Sequence, residues 1–432
     1  MLRAQGFDFA PLSFYAGARV LLREPMPLGA SLAARFGHIY IQDASSMLPP
    51  LALLQVLDKA GGRRAAGLRA LDMCASPGGK TSLLARLLGP GAVVLAGEPA
   101  PKRLAALRHN LDLLNIFNAA SLGVPGESLP LAEGSMDIIL LDPPCSGWGT
   151  ADKRPEVLNL WRGDKLKPLI ALQKRLLRTA LGFLRPGGLL VYSTCTLNER
   201  ENEEQVAWAV QALAGPGAAL RILPLVPFPG FVFDPPADCA PGSLRVAAAS
   251  GLGQGFYIAA LRKEGAADGL DSSACSYCED ADAAGLRRDQ DARMANCGGA
   301  DAAEGEGMDQ TVPAAPLFDL LLLPPGKIHI ISGRLYFRHI QAPPHPWRGF
   351  FMGKAGPDGL PLPGSGPRGL LPGPEQAREN GGAVLRAENP ATVLALLSGQ
   401  SLSGFMGERE AGLYYKDLPL ARLKCRGGRA FL

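Results

Sequence analysis

Two cysteines stand where an apolar run stops and a turn or helix begins. One is Cys145 in LDPPCSGWGT (141–150); the other is Cys195 in VYSTCTLNERENEE (191–204). A lone cysteine in such a place behaves more often as a compact apolar residue than as a reagent. A pair of them, each just past a strand-like run, points instead to thiol chemistry, in which a covalent intermediate divides one hard step into easier ones. The thiolate is the reactive form, and a free thiol with a pKa of about 8.5 is mostly protonated at neutral pH, so such a residue needs a nearby cation or helix start.

The surrounding elements must bring these residues together. DMCASPGGKT (72–81) follows a strand-like run and opens a helix. Its Pro77, Gly78 and Gly79 allow close approach of backbone to a ligand, and a helix start favours an anionic group. Glu98 ends the next strand-like run, about 20 residues on, where a carboxylate is suited to ribose hydroxyls. No GxGxxG cradle for a pyrophosphate is present, so a nucleoside cofactor is expected rather than a dinucleotide. The runs LRALDMC, AVVLAG, MDIILLD and GLLVYST read as strands. They alternate with the helical KTSLLARLL, APKRLAALRHNLDLLNI, KLKPLIALQKRLLRTALGFL and ENEEQVAWAVQALAG. This alternation predicts an α/β, Rossmann-like fold: a largely parallel sheet covered on both faces, with ligands bound past the carboxyl ends of its strands. DMCASPGGK, GEPA, DPPC and STCT all fall at those ends.

With 432 residues the chain is long enough for several domains. Residues 1–66 read as an N-terminal extension packing on the catalytic domain, 67–263 as that domain, and 317–432 as a small, mostly β domain with the basic tail RLKCRGGR. Between them, 264–316 holds 12 acidic and 3 basic side chains, a net −9, and reads as a flexible linker. The chain's formal charge is +4, so +13 lies on the remainder, which suits a polyanionic partner such as nucleic acid. Cys275 and Cys278 in the linker form a CxxC with Cys297 further on, but a fourth ligand is missing and no metal site is expected. No apolar stretch approaches a membrane span, and MLRAQGFDFAPLSFYAG lacks a signal pattern. A cytoplasmic protein with reduced thiols, and no membrane partner, is the expectation.

Methyltransferases acting on exocyclic nitrogen carry Asp-Pro-Pro followed by an aromatic ring. Here Cys145 takes the ring's place, which points to carbon as the acceptor. Together with YIQDASSMLPPLAL (40–53), LDMCASPGGKT, GEPAPKR, LLDPPCSGWGTADKRPE, FLRPGGLLVYSTCTLNERENEE and QGFYIAALRK, the chain resembles the NOL1/NOP2/Sun family of RNA cytosine-C5 methyltransferases, most closely its bacterial RsmF type. GLYYKDLPLARLKCRGGR resembles the PUA-like RNA-binding end of those proteins. The resemblance implies a class I S-adenosylmethionine-dependent fold with a PUA-like domain, acting on 16S ribosomal RNA. Transfer RNA is the alternative substrate, and a noncatalytic RNA-binding assembly factor the rival of another class. No obligate protein partner is inferred.

By the same resemblance Cys195 is the nucleophile that adds to C6 and makes C5 enamine-like, Cys145 serves release of the product, and Asp142 and Lys80 complete the catalytic set. Lys80, the cofactor's sulfonium and the run starting near Glu199 are candidates for lowering the Cys195 pKa. The cofactor residues are Cys74, Ala75, Ser76, Pro77, Gly78, Gly79, Lys80, Glu98, Arg103 and Asp142. Lys153, Arg154, Arg422, Lys424, Arg426 and Arg429 are expected to contact RNA, whereas Trp148 and Trp161 read as packing anchors. Two departures stand out: VPGESLP (124–130) replaces the Asp-Gly that binds adenine, leaving Glu127 as a substitute, and RVAAASG follows Leu244 where the family has Arg-x-x-Pro-His.

Overall fold

The computed structural model describes residues 1–59, 67–160, 163–212, 219–248, 251–265, 310–312, 326–331, 334–339, 342, 347–354, 374–379 and 381–432. The chain opens with an antiparallel hairpin, β1 (Asp8–Pro11) and β2 (Arg19–Arg23). A short helix α1 (Leu32–Arg35) follows, its first turn closed by the Ser31 hydroxyl, which accepts from Ala34 N, and then α2 (Leu48–Lys59). The alternation expected from the sequence comes next: β3 (Arg69–Asp72), α3 (Gly79–Leu88), β4 (Val93–Gly97), α4 (Pro101–Leu113), β5 (Ala119–Leu122), β6 (Met136–Leu141), α5 (Gly163–Phe183), β7 (Leu184–Thr194) and α6 (Glu203–Ala212). Four further strands, β8 (Leu220–Leu223), β9 (Phe233–Asp234), β10 (Leu244–Val246) and β11 (Phe256–Lys263), complete a nine-stranded sheet.

Strands β5-β4-β3-β6-β7 are parallel in that order, and β11 closes against β7 in the opposite sense, flanked by β8 and β10. The order reverses between β3 and β6, the switch point at which sheets of this kind bind ligands beyond the carboxyl ends of their strands. Period-2 alternation explains why these strands are apolar throughout. Ile138 and Leu140 of β6 face the core under α2, α3 and α4, while Ile139 and Leu141 face the core under α5 and α6. Truncating Ile139 to Ala would cost about 2 to 5 kcal/mol, because both layers are closely packed.

Further along the chain, β12 (Gln310–Val312), β13 (Gly326–Ile331), β14 (Arg334–His339) and β15 (Phe350–Lys354) form an antiparallel sheet. Gln310–Val312 falls inside the stretch read as a linker and pairs with β13, whereas Cys275, Cys278 and Cys297 lie outside the described residues. A final unit contains α7 (Pro374–Glu379), β16 (Ala383–Ala387), α8 (Pro390–Leu397), β17 (Leu402–Phe405), β18 (Glu410–Tyr415), β19 (Leu418–Arg426) and β20 (Gly428–Phe431). Its five strands order as β16-β18-β19-β20-β17.

Neither C-terminal sheet stands apart from the rest. Ser121 on the edge strand β5 exchanges backbone hydrogen bonds with Arg348 at 2.8 and 2.9 Å, and Trp347 enters the core beneath α5. Leu32 and Phe36, beside α1, are buried among Leu413, Leu420 and Leu423 of the five-stranded unit. The N-terminal extension therefore serves two hydrophobic cores: α2 covers the parallel sheet, and α1 seals the last unit. Among the described residues no helix is long and apolar enough to cross a membrane, and no His, Cys, Asp and Glu cluster could hold a metal ion.

Candidate active site

Asp72, Glu98, Asp142 and Cys195 each follow or end a parallel strand, so the sheet delivers them to one edge. There Cys145 Sγ and Cys195 Sγ lie 3.3 Å apart, and both thiols are half-buried. Lys80, in the first turn of α3, donates from Nζ to Asp142 Oδ2 at 2.6 Å, and the Ser193 hydroxyl donates to Asp142 Oδ1 at 3.1 Å. Burial works against the Lys80 ammonium, yet the Asp142 carboxylate holds its pKa above the ordinary lysine value.

The two thiols are unequal. The hydrogen bond with Cys145 holds the Cys195 thiol below its ordinary value; burial and Asp142 oppose this, and Lys80 reinforces it. Cys145 is pushed well up by the same hydrogen bond, by burial and by the negative charge on Cys195. The opposite shifts make Cys195 the more acidic thiol of the pair and Cys145 the better holder of the shared proton.

Short polar side chains fix this pair. Thr194 Oγ1 bonds to Asn202 Oδ1 at 2.5 Å, and Asn202 Nδ2 donates to Thr196 O at 3.0 Å, so the strand end is pinned on both sides of Cys195. Thr196 Oγ1 meets Ser146 Oγ at 2.8 Å, which links the two cysteine segments directly. Glu201, fully buried, accepts from Ser146 N, Ser146 Oγ, Gln173 Nε2 and Asn198 Nδ2. Gly149 N donates to Cys195 O, and a Cβ at Gly149 would fall on the Gly255 and Cys195 carbonyl oxygens, so this close approach admits only glycine. Ser146, Gln173 and Glu201 were absent from the residues picked out of the sequence. The only signal for Glu201 was its place in the acidic run ERENEE, whose members look alike until their burial is seen.

The remaining candidates fall into three groups. Cys74 to Lys80 form the turn between β3 and α3. Gly78 has φ +107°, and no side chain caps the helix start, which follows the carboxyl end of β3. Glu98 is 4% exposed; it accepts from Ala100 N and pairs with Arg103 Nε at 3.1 Å, while Arg103 also donates to Ser76 O. This donor set fits S-adenosylmethionine: a buried carboxylate after β4 for ribose hydroxyls, an uncapped helix start for the amino-acid carboxylate, and Asp142 nearby. Glu127 sits on a turn after β5, paired with Arg175 at 3.5 Å.

Of the expected RNA contacts, Arg154 is exposed, but Lys153 is tied to Asp43 at 2.5 Å. Burial alone would raise Asp43, yet hydrogen bonds from Lys153, Ser45 and Gln254 hold it below the ordinary carboxylate range. Lys153 therefore anchors the loop after Cys145 to the N-terminal extension. Arg422, Lys424 and Arg426 alternate along β19, and Arg429 lies across from Arg426 on β20, so all four share one sheet face. Arg422 bonds to Glu410 at 3.4 Å, whereas Lys424, Arg426 and Arg429 are exposed. Trp148 is half-buried beside Gly149, and Trp161 lies outside the described residues.

The five-strand parallel order, the antiparallel closing strand and the carboxylates at the strand ends define a class I S-adenosylmethionine-dependent methyltransferase fold, here with a small, mostly β, PUA-like C-terminal unit. A family profile described as "16S rRNA methyltransferase RsmB/F" matches residues 64–262, and over that span the chain is similar to this family. Ribosomal RNA small subunit methyltransferase F of Salmonella heidelberg is 40% identical over 244 residues, 56% of this chain and 48% of that protein. The chain thus spans about half the length of the curated relatives it matches. Among solved structures, PH0851 is 27% identical with a TM-score of 0.52, covering 60% of this chain and 55% of its own. A methyltransferase homolog from Pyrococcus horikoshii is 33% identical with a TM-score of 0.49, over 61% of this chain and 80% of its own.

Proposed function

We propose that this protein methylates C5 of a cytosine in small-subunit ribosomal RNA, through a covalent bond between Cys195 and C6 of the base. The observation that carries it is the 3.3 Å contact between two thiols with opposite pKa shifts beside a Lys80–Asp142 pair. Structural cysteines do not need such an arrangement. Cys195 adds to C6, and the negative charge that develops on the ring is met by the Lys80 ammonium, while the Asp142 carboxylate, held by Lys80 and Ser193, accepts from the N4 amino group. S-adenosylmethionine, held by Glu98 and the 74–80 turn, supplies an electrophilic methyl group when bound. Bond formation at Cys195 removes the thiolate that held the Cys145 proton, so the largest influence keeping Cys145 protonated disappears. Cys145 can then lose its own proton to solvent water and, as the thiolate, take the C5 proton. The electrons of that C–H bond restore the C5–C6 double bond, and the sulfur–C6 bond breaks to return the Cys195 thiolate.

Bisulfite mapping of small-subunit ribosomal RNA from cells with and without the protein tests this activity. One cytosine protected only when the protein is present is the expected result. Protection confined to transfer RNA would move the substrate, and no protection together with no S-adenosylmethionine binding would favour a noncatalytic assembly factor.

Residues 317–432 carry 14 basic and 8 acidic side chains, and three exposed basic ones, Lys424, Arg426 and Arg429, share the β19–β20 face. Deleting this region would also uncover Leu32 and Phe36, so point changes are the cleaner test of RNA contact. Lys424→Glu, Arg426→Glu and Arg429→Glu together should weaken RNA binding and lower the slope of log affinity against log salt by about 2, with cofactor affinity unchanged. An unaltered slope would remove this face from the RNA interface.

A further inference from the structure

We propose that Glu201 is a positioning residue that holds the Cys145 turn in register with Cys195, and so serves release of the methylated base more than formation of the covalent bond; this rests on the two-thiol route above. The Glu201 side chain is fully buried, and four donors converge on it. Ser146 N at 2.9 Å and Gln173 Nε2 at 3.0 Å reach Oε1; Ser146 Oγ at 2.5 Å and Asn198 Nδ2 at 3.2 Å reach Oε2. Gln173 donates as well to Pro144 O at 3.0 Å. The residues before and after Cys145 are therefore both referred to one carboxylate.

That carboxylate belongs to the other cysteine's segment. Glu201 lies six positions past Cys195, and its own carbonyl accepts from Tyr192 OH of β7 at 2.6 Å. Ser146 closes the loop by its contact with Thr196. Burying an ionised carboxylate is expensive unless its lone pairs are filled, and here all four donors are uncharged. A neutral side chain could cap the turn more cheaply, so the charge itself is the feature to explain. It lies beside Cys145, whose thiol it helps to hold up, though less than the Cys195 hydrogen bond, burial and the charges of Cys195 and Asp142 do. Cys195 is held separately, by Thr194, Asn202 and the Gly149 amide. Loosening the Glu201 network therefore displaces Cys145 first.

Single-turnover assays of the full chain with labelled small-subunit ribosomal RNA and S-adenosylmethionine separate the two steps on a denaturing gel: the covalent band appears with attachment and decays with release. Glu201→Gln keeps the shape but turns an amide NH2 toward two donors, and Ser146→Ala removes the hydroxyl donor while keeping the carboxylate and its hydrogen bond from the residue-146 amide. In Glu201→Gln release should slow more than attachment: the band should persist about ten- to a hundredfold longer, as expected when buried donors lose an acceptor, while attachment slows less and recovers as pH rises. Ser146→Ala should show the same split to a smaller degree, and it decides the matter if Glu201→Gln does not fold. Equal slowing of attachment and release, or unchanged release, overturns the inference and leaves the two-thiol route standing. Absence of a trapped band in a parallel Cys145→Ala sample overturns that route, and the inference with it.

Discussion

Cys145→Ala should accumulate a protein–RNA adduct that survives denaturation, and Cys195→Ala should form none, although both lose turnover. Without Cys195 there is no thiolate beside the base, and C5 of an unactivated cytosine is too weak a nucleophile to be methylated; turnover should fall by about 10⁴-fold or more. Without Cys145 the sulfur–C6 bond still forms, but the C5 proton has no acceptor at hand, and release should slow by about 10²- to 10⁴-fold, the usual worth of a placed base. Alanine at 145 also removes the hydrogen bond that contributes most to lowering Cys195. Attachment in that variant should therefore be slower at neutral pH and recover as pH rises, while the band still builds because its exit is blocked. A gel with labelled RNA reads both variants, and an adduct from Cys195→Ala alone would exchange the two roles.

Replacing Lys80 with methionine should move the pH dependence of attachment to the alkaline side. The ammonium is one of the influences that lower Cys195, while the Asp142 carboxylate raises it. Lys80→Met deletes the first and leaves the second without its 2.6 Å partner, so both changes raise the Cys195 pKa. Below that pKa the thiolate fraction falls tenfold for each unit of rise. At pH 7 attachment should drop by about ten- to a hundredfold and be recovered at higher pH. A loss of the same size at every pH would assign Lys80 to substrate binding instead.

The strand–helix alternation exposed the parallel sheet in the sequence because β3, β4, β6 and β7 are apolar runs ending in turn residues. It did not expose β5, whose four residues AASL are too short and too small to stand out, nor β8 to β10, which are shorter still. The sheet logic also placed Lys80 and Asp142, 62 positions apart, at one edge, since both follow strand ends. Contacts that join distant segments through side chains had no such signal. Asp43 with Lys153, and Ser121 with Arg348, depend on how the N- and C-terminal regions dock. In ERENEE, Glu201 and Glu203 are buried while Glu199 is exposed, a pattern set by a tight turn running into α6 rather than by one uniform helical period. The threonines around Cys195 were legible in kind, as short hydroxyl side chains at a strand end, but their partners Asn202 and Ser146 were not.

Which sulfur bears the RNA is the most direct test of the central claim. Small-subunit ribosomal RNA carrying 5-fluorocytidine would trap the wild-type protein after methyl transfer, because fluorine at C5 cannot leave as a proton does. After incubation with S-adenosylmethionine, digestion and mass spectrometry, the nucleotide should be found on the peptide containing Cys195, with a methyl group added to the base. A modified Cys145 peptide, or methylated cytosine formed from ordinary RNA with no adduct on either cysteine, would contradict the account.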